Sequence, residues 1–492
     1  MRESGVLMHI SSLPSPCGIG TMGAEARSFA DFLEEAGQHY WQMLPVCPTS
    51  YGDSPYQSFS TCAGNPYFID FPMLVEAELL KKEEYETIDW GNKPDEINYG
   101  LLYQNRFSIL EKAAARFDEQ SVPDYKDFCE KNAFWLEDYA LFMSLKTHFG
   151  GAPWTDWDQP IRNRDPKAVE SARRNHGNHI RFWKVIQYLF FTQWKELHHY
   201  CHQKNIQIIG DLPFYVAQDS VDVWVHPELF ELDENRLPTE VAGCPPDGFS
   251  ADGQLWGNPI YNWKIHKETN YDWWVSRIGY LCREYDILRI DHFRGFDSFY
   301  SIPYGETTAR NGHWNPGPGM DLFRAVEEKL GRQHIIAEDL GFLTDSVRQL
   351  LAESGFPGMK VLQFAFDDRD DSSSDHRPYC YPGNCVAYIG THDNDTVQGW
   401  MKHADPENVR FAREYLRMTK AGDAHWDMIC ALMASVADLV IIQTQDLLGL
   451  GSESRMNTPS TAGGNWSWRM LPGSLDRELA KKLARITRIY GR

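Results

Sequence analysis

Ile287-Leu288-Arg289-Ile290-Asp291-His292 is a short aliphatic run, broken by one arginine and closed by an acid and a histidine. Seven further runs are similarly built: residues 6–10, 41–46, 206–210, 335–337, 361–366, 386–389 and 439–442. Each is short enough for a buried strand and rich in Ile, Val or Leu. Helical patterns lie between them. Residues 24–36 end at Gly37, and residues 182–202 carry Trp183, Ile186, Phe190, Trp194 and Leu197 on one face. Residues 271–285, 320–330, 408–420 and 426–436 follow, and Leu475, Leu479, Leu483 and Ile486 close the chain. Eight strands alternating with helices predict an α/β fold with a parallel sheet covered on both faces. Eight is the number that closes a (β/α)8, or TIM, barrel.

The spacing is uneven. About 160 residues separate the second run from the third, far more than one βα unit needs. Residues 50–205 are therefore expected to hold an inserted, mostly helical subdomain. Residues 213–264, rich in Gly, Pro and aromatics, are expected to form an ordered loop region. The whole chain, residues 1–492, then reads as one elaborated barrel domain.

Composition narrows the function. With 48 Lys and Arg against 69 Asp and Glu, the net charge is −21, which argues against broad binding to nucleic acid or anionic membrane. No apolar run approaches the roughly 18 residues of a membrane helix, and the N-terminal apolar stretch is too short and polar for a signal peptide. A cytoplasmic protein is expected. Ten scattered cysteines with no Cys-x-x-Cys pair read as reduced thiols. The 17 Trp, 23 Tyr and 26 Phe suit either a large aromatic core or a surface that stacks on sugar rings, and composition alone does not choose.

The chemistry is concentrated where the strands end, because a barrel gathers its active site at the carboxyl ends of its strands. There the runs close as Gly210-Asp211, Ile290-Asp291-His292, Ala337-Glu338-Asp339 and Thr391-His392-Asp393, so four strands deliver carboxylates to one rim. Arg289 and Asp291 are two apart and point to one face. A permanent cation there is expected to hold Asp291 ionised, with its pKa low. The apolar approach to Glu338 is expected to raise its pKa and make it a proton donor. Two carboxyls with pKa values pushed apart are what glycoside chemistry requires.

Rival motifs are weaker. Gly18-Ile19-Gly20-Thr21-Met22-Gly23 matches the dinucleotide fingerprint, but seven residues with two prolines separate it from the preceding run. In Asp291-His292 and His392-Asp393 strand alternation should send the two side chains to opposite faces. There is no H-E-x-x-H and no P-loop, so a catalytic metal is not expected.

Several blocks together resemble the 4-α-glucanotransferases, the amylomaltases or disproportionating enzymes of glycoside hydrolase family 77 in the α-amylase clan. They are Arg289-Ile290-Asp291-His292-Phe293-Arg294-Gly295-Phe296, Ala337-Glu338-Asp339-Leu340-Gly341 and Gly390-Thr391-His392-Asp393-Asn394-Asp395-Thr396. Gly52-Asp53-Ser54-Pro55-Tyr56-Gln57-Ser58, Gly210-Asp211-Leu212-Pro213-Phe214-Tyr215-Val216, Gly253-Gln254-Leu255-Trp256-Gly257-Asn258-Pro259 and Gly463-Gly464-Asn465-Trp466 extend the likeness over nearly the whole chain. The resemblance implies retaining, double-displacement transfer of α-1,4-glucan chains without a cofactor. It implies Asp291 as nucleophile, Glu338 as acid/base and Asp393 as transition-state stabiliser, the last a role that the residues alone do not assign. Arg289 and His392 would surround the donor sugar, with Asp211 supporting them.

Tyr56, Asp247, Ser250 and Trp256 are candidates for glucan contacts or for simple packing. Residues 243–258 resemble the substrate lid, except that Gly248 stands where a Tyr is usual. The expected partners are an α-1,4-glucan donor and a sugar acceptor, such as maltooligosaccharides or glucose. Rival readings are an α-glucan hydrolase with the same carboxylates, a catalytically silent glucan-binding protein, and a metal-dependent hydrolase.

Overall fold

The computed structural model describes residues 2–50, 52–246, 250–341, 343–367, 371–418, 423–461 and 463–492. In chain order its strands are β1 (Glu3–Leu7), β2 (Tyr40–Gln42), β3 (Gln207–Leu212), β4 (Glu240–Cys244), β5 (Gln254–Pro259), β6 (Ile287–Ile290), β7 (Ser298–Pro303), β8 (His313–Pro316), β9 (Ile335–Ala337), β10 (Gly358–Val361), β11 (Cys385–Tyr388) and β12 (Leu439–Gln443). Eight of them close a barrel in the order β1-β12-β11-β10-β9-β6-β3-β2, and each adjacent pair is parallel. The eight apolar runs thus mark the eight barrel strands. They are legible because a barrel strand is buried on both faces and needs no polar alternation.

The ends of the runs are less faithful. The expected strand at 361–366 ends at Val361, and Leu362–Phe366 is a 3-10 helix. The apolar run continues past the strand because Leu362, Ala365 and Phe366 are also buried. A similar shift affects 6–10, where β1 stops at Leu7 and Ile10–Ser12 is a buried 3-10 turn. The helix expected from 408 starts earlier, at Pro406–Tyr415. Asp405 accepts the Glu407 amide and proline occupies the first turn, where its missing N–H costs nothing.

Helices cover the barrel and fill the stretch between β2 and β3. The helix Gly177–Gln203 buries Trp183, Ile186, Phe190, Trp194 and Leu197, packing on Ala133–His148 and Ala24–Glu35. One hydrophobic cluster runs continuously from the barrel strands (Val6, Ile209, Ile441) into these helices (Leu102, Tyr139, Trp183). No helix among the described residues is long and apolar enough to cross a membrane.

The excursion after β3 holds structure that its sequence conceals. Read from sequence as loops, it contributes β4 and β5 to an antiparallel sheet ordered β5-β4-β7-β8. β4 reads Glu-Val-Ala-Gly-Cys, with little strand character of its own. Its central partner β7 lies more than fifty residues away, across β6. Val241, Tyr300, Ile302 and Ala309 give this sheet a small core of its own.

Candidate active site

The register of the barrel assembles the site. Asp211 lies opposite Arg289 in the β3–β6 pair, and Ile290 opposite Ala337 in the β6–β9 pair. Asp291 and Glu338, each the next residue along, therefore emerge side by side at the same rim. The Arg289 guanidinium donates from Nη1 to both Asp211 oxygens at 2.7 Å and from Nη2 to Asp291 Oδ1 at 3.0 Å. The Arg289 and Asp211 side chains are 4% and 0% exposed, so their charges rely on each other in place of water. Burial opposes the guanidinium charge, but Asp211 and Asp291 overcome it and hold Arg289 well above its ordinary range.

The two candidate catalytic carboxyls titrate in the order the chemistry needs, though not for the reason expected of Asp291. Burial pushes Asp291 up to about 6, with Arg289 pulling down and Asp211 pushing up, so Arg289 does not hold it below the usual carboxylate range. One guanidinium shared between the buried Asp211 and the partly buried Asp291 does not offset the loss of water. Glu338 rises further, to about 8, through burial first and the Asp291 charge second. Its Oε2 accepts the His292 amide at 2.7 Å and its Oε1 the Leu340 amide at 2.9 Å. These bonds fix the carboxyl while opposing its rise. Near neutrality Asp291 is ionised and Glu338 carries a proton.

His292 aims one of those amides by standing in the left-handed region, at φ 50°. Its partly buried ring is held neutral near neutral pH, its pKa lowered to about 3 by burial and then by Arg294. Trp256 meets that ring edge-to-face at 5.0 Å. Asp339, the other acid of its block, turns away to accept the Met359 amide at 2.6 Å, anchoring β10.

Across the rim, Tyr56 donates its hydroxyl to Asp211 Oδ2 at 2.8 Å and stacks on His392 with ring centroids 5.0 Å apart. His392 and Asp393 do not diverge, as strand alternation would require. His392 Nε2 lies 3.4 Å from Asp393 Oδ1. The reason is that β11 ends at Tyr388, and 391–394 form a turn closed by the Thr391 amide donating to Asn394 Oδ1 at 2.8 Å. Asp393 is 46% exposed, so it is open to a ligand.

Asp393 is held by residues that sequence reading did not single out. Asn457 Nδ2 donates to its Oδ1 at 2.6 Å, and Arg455 donates to its carbonyl at 2.6 Å. Trp466, in a block already quoted, packs against Tyr56 and His392 at 5.9 and 5.8 Å. No local signal marks Asn457, because its partner is 64 residues away in sequence. Asn457→Ala is expected to lower kcat about 5- to 150-fold, the equivalent of about 1–3 kcal/mol for an unmade polar contact. The melting temperature and the donor KM should change little. A native kcat would mean that Asp393 needs no such holding.

Tyr56, Asp211, Arg289, Asp291, Glu338, His392 and Asp393 thus form one connected rim, with Trp256 joined through His292. Ser250 serves the turn before β5, donating its hydroxyl to the Gly253 carbonyl at 2.7 Å. Asp247 and Gly248 lie outside the described residues. The glycine-rich stretch 18–23 has a packing role: side chains at Gly20 and Gly23 would strike the Ile10 carbonyl and the Asp70 carboxylate.

The site can be set beside known proteins. A family model described as 4-alpha-glucanotransferase matches residues 8–475. The chain is 50% identical to a 4-alpha-glucanotransferase of Clostridium butyricum, over 99% of this chain and 100% of that one. It is 45% identical to that of Thermus thermophilus, over 98% and 97% respectively. An amylomaltase from Streptococcus agalactiae, solved in complex with acarbose, matches at a TM-score of 0.97 and 45% identity over the whole of both chains. Similarity at this level over full length, joined to a barrel whose rim brings together Asp211, Asp291, Glu338 and Asp393, settles the kinship: the chain belongs to the 4-alpha-glucanotransferase family.

Proposed function

We propose that this protein transfers α-1,4-glucan segments between maltodextrins by double displacement with retention, Asp291, Glu338 and Asp393 carrying the chemistry. The proton order of the paired carboxyls carries this reading, with Asp291 ionised while its neighbour Glu338 stays protonated. An Asp291 oxygen attacks the anomeric carbon as the C1–O4 bond breaks. The Glu338 proton passes to the departing O4, releasing the reducing-side fragment and leaving a glycosyl ester on Asp291. Glu338, now a base, takes the proton of an acceptor 4-hydroxyl, whose oxygen attacks C1 and frees Asp291. Two inversions restore the α-configuration.

Asp393, exposed to the cleft and fixed by Asn457, accepts hydrogen bonds from ring hydroxyls that strengthen as positive charge develops on the sugar. Arg289 and His392 bind around the donor sugar, and Asp211 orients Arg289. Tyr56 and Trp256 offer stacking faces, and Ser250 and Asp247 belong to the lid over 243–258 that favours a bound sugar over water as acceptor. Buried thiols such as Cys201 and Cys385 suit a reducing cytoplasm.

A product ladder tests the reading. Maltotriose as sole substrate, with chelator present, is expected to give glucose together with maltopentaose and longer chains. Glucose and maltose without longer products would make the protein a hydrolase.

A further inference from the structure

At the opposite end of the barrel lies a cluster that the transfer reaction does not use. His198 and His202 are four apart on the helix Gly177–Gln203, hence on one face. Asp286 stands immediately before β6, as Asp291 stands immediately after it, about 16 Å of strand away. Both imidazole Nε2 atoms converge on this one carboxylate: His198 at 3.1 Å from Oδ2 and His202 at 2.8 Å from Oδ1. The three ligand atoms lie within 4.8 Å of one another.

We propose that His198, His202 and Asp286 form a binding site for a divalent transition metal of the zinc class, which staples the helix Gly177–Gln203 to the start of β6. Two imidazoles and a carboxylate are a donor set that zinc accepts, with water as the fourth ligand. The spacing fits. Zinc–ligand bonds of 2.0–2.2 Å make the edge of the tetrahedron about 3.4 Å, so His202 needs to part from Oδ1 by well under an ångström, while His198 swings from Oδ2 toward the ion within a cluster already no wider than 4.8 Å.

The donors are also positioned in advance. His198 stacks on Trp194 at 6.1 Å and 20°, which fixes its ring. The Ile208 amide donates to Asp286 Oδ2 at 2.7 Å, which leaves Oδ1 for the ion. His202 is 47% exposed, so an ion and its water can enter from solvent. Binding exchanges the two contacts to Asp286 for metal bonds: each Nε2 gives up the proton it donates to the carboxylate, which is relocated through solvent to Nδ1 in a neutral ring or released to water from an imidazolium, and the freed Nε2 lone pair binds the ion. The site then ties three segments of chain: the end of the helix, β3 through Ile208 and β6 through Asp286.

The test uses full-length protein stripped with chelator and then titrated with zinc chloride. One zinc per chain is expected by calorimetry. The melting temperature is expected to rise about 2–3 °C at a hundredfold excess over Kd, from the linkage relation and the size of the chain. His202→Gln, at a half-exposed position, should remove both the tight binding and the shift while glucan transfer stays unchanged. Cobalt(II) should give the visible absorption of a tetrahedral ion in the wild type and not in the variant. An absence of saturable zinc binding would overturn the proposal, and so would equal binding or equal shifts in wild type and His202→Gln. Neither depends on whether the rim carboxylates transfer glucan.

Discussion

Asp291→Asn is expected to leave a folded protein that has lost at least about 10⁴-fold of its transfer activity, the scale seen when a nucleophile acting in concert with its partners is removed. Asparagine has the same shape and keeps an oxygen for the Arg289 Nη2 contact. Arg289 also retains both bonds to Asp211. What disappears is the negative oxygen that the proposed mechanism uses to form the ester. Stability should hold or rise, since the variant no longer confines two acidic neighbours, Asp211 and Glu338, beside a third acid. Initial glucose release from maltotriose and a melting curve on one preparation check both halves. A rate within tenfold of wild type would remove Asp291 from the nucleophile's place.

Glu338→Gln is expected to lose about 10²- to 10⁴-fold with maltotriose, whose departing oxygen must be protonated. Glutamine still offers one oxygen to the backbone amides but has no acidic proton to give. With α-glucosyl fluoride, whose leaving group needs no proton, the first step should survive. The glycosyl ester on Asp291 should then accumulate as a hexose mass on the intact protein. The wild-type pH profile follows from the same pair. Activity rises as Asp291 ionises through about 6 and falls as Glu338 loses its proton through about 8. The variant, assayed with the fluoride, should lose the falling limb. A falling limb that persists would assign it to another group.

Much of this molecule is written locally. Strands 287–290 and 439–442 announce themselves because strands covered on both faces need nothing but apolar side chains. Asp211, Asp291, Glu338 and Asp393 stand out because charge can follow such a run only where the strand reaches the rim. The antiparallel sheet of β4, β5, β7 and β8 was hidden for the opposite reason: the Glu240–Cys244 strand is stabilised by a partner beyond β6 and not by its own residues. The convergence of His392 on Asp393 was missed because the strand rule was carried past Tyr388, where the strand ends.

The sequence by itself determined the barrel and the acids on its rim, since both follow from hydrophobic runs and the residues that end them. The tertiary structure alone decided that Asn457 holds Asp393, that two histidines meet Asp286 beneath the barrel, and that Asp291 titrates above its usual range. Contacts across tens or hundreds of residues, and the exclusion of water from a charge, exist only once the chain has closed upon itself.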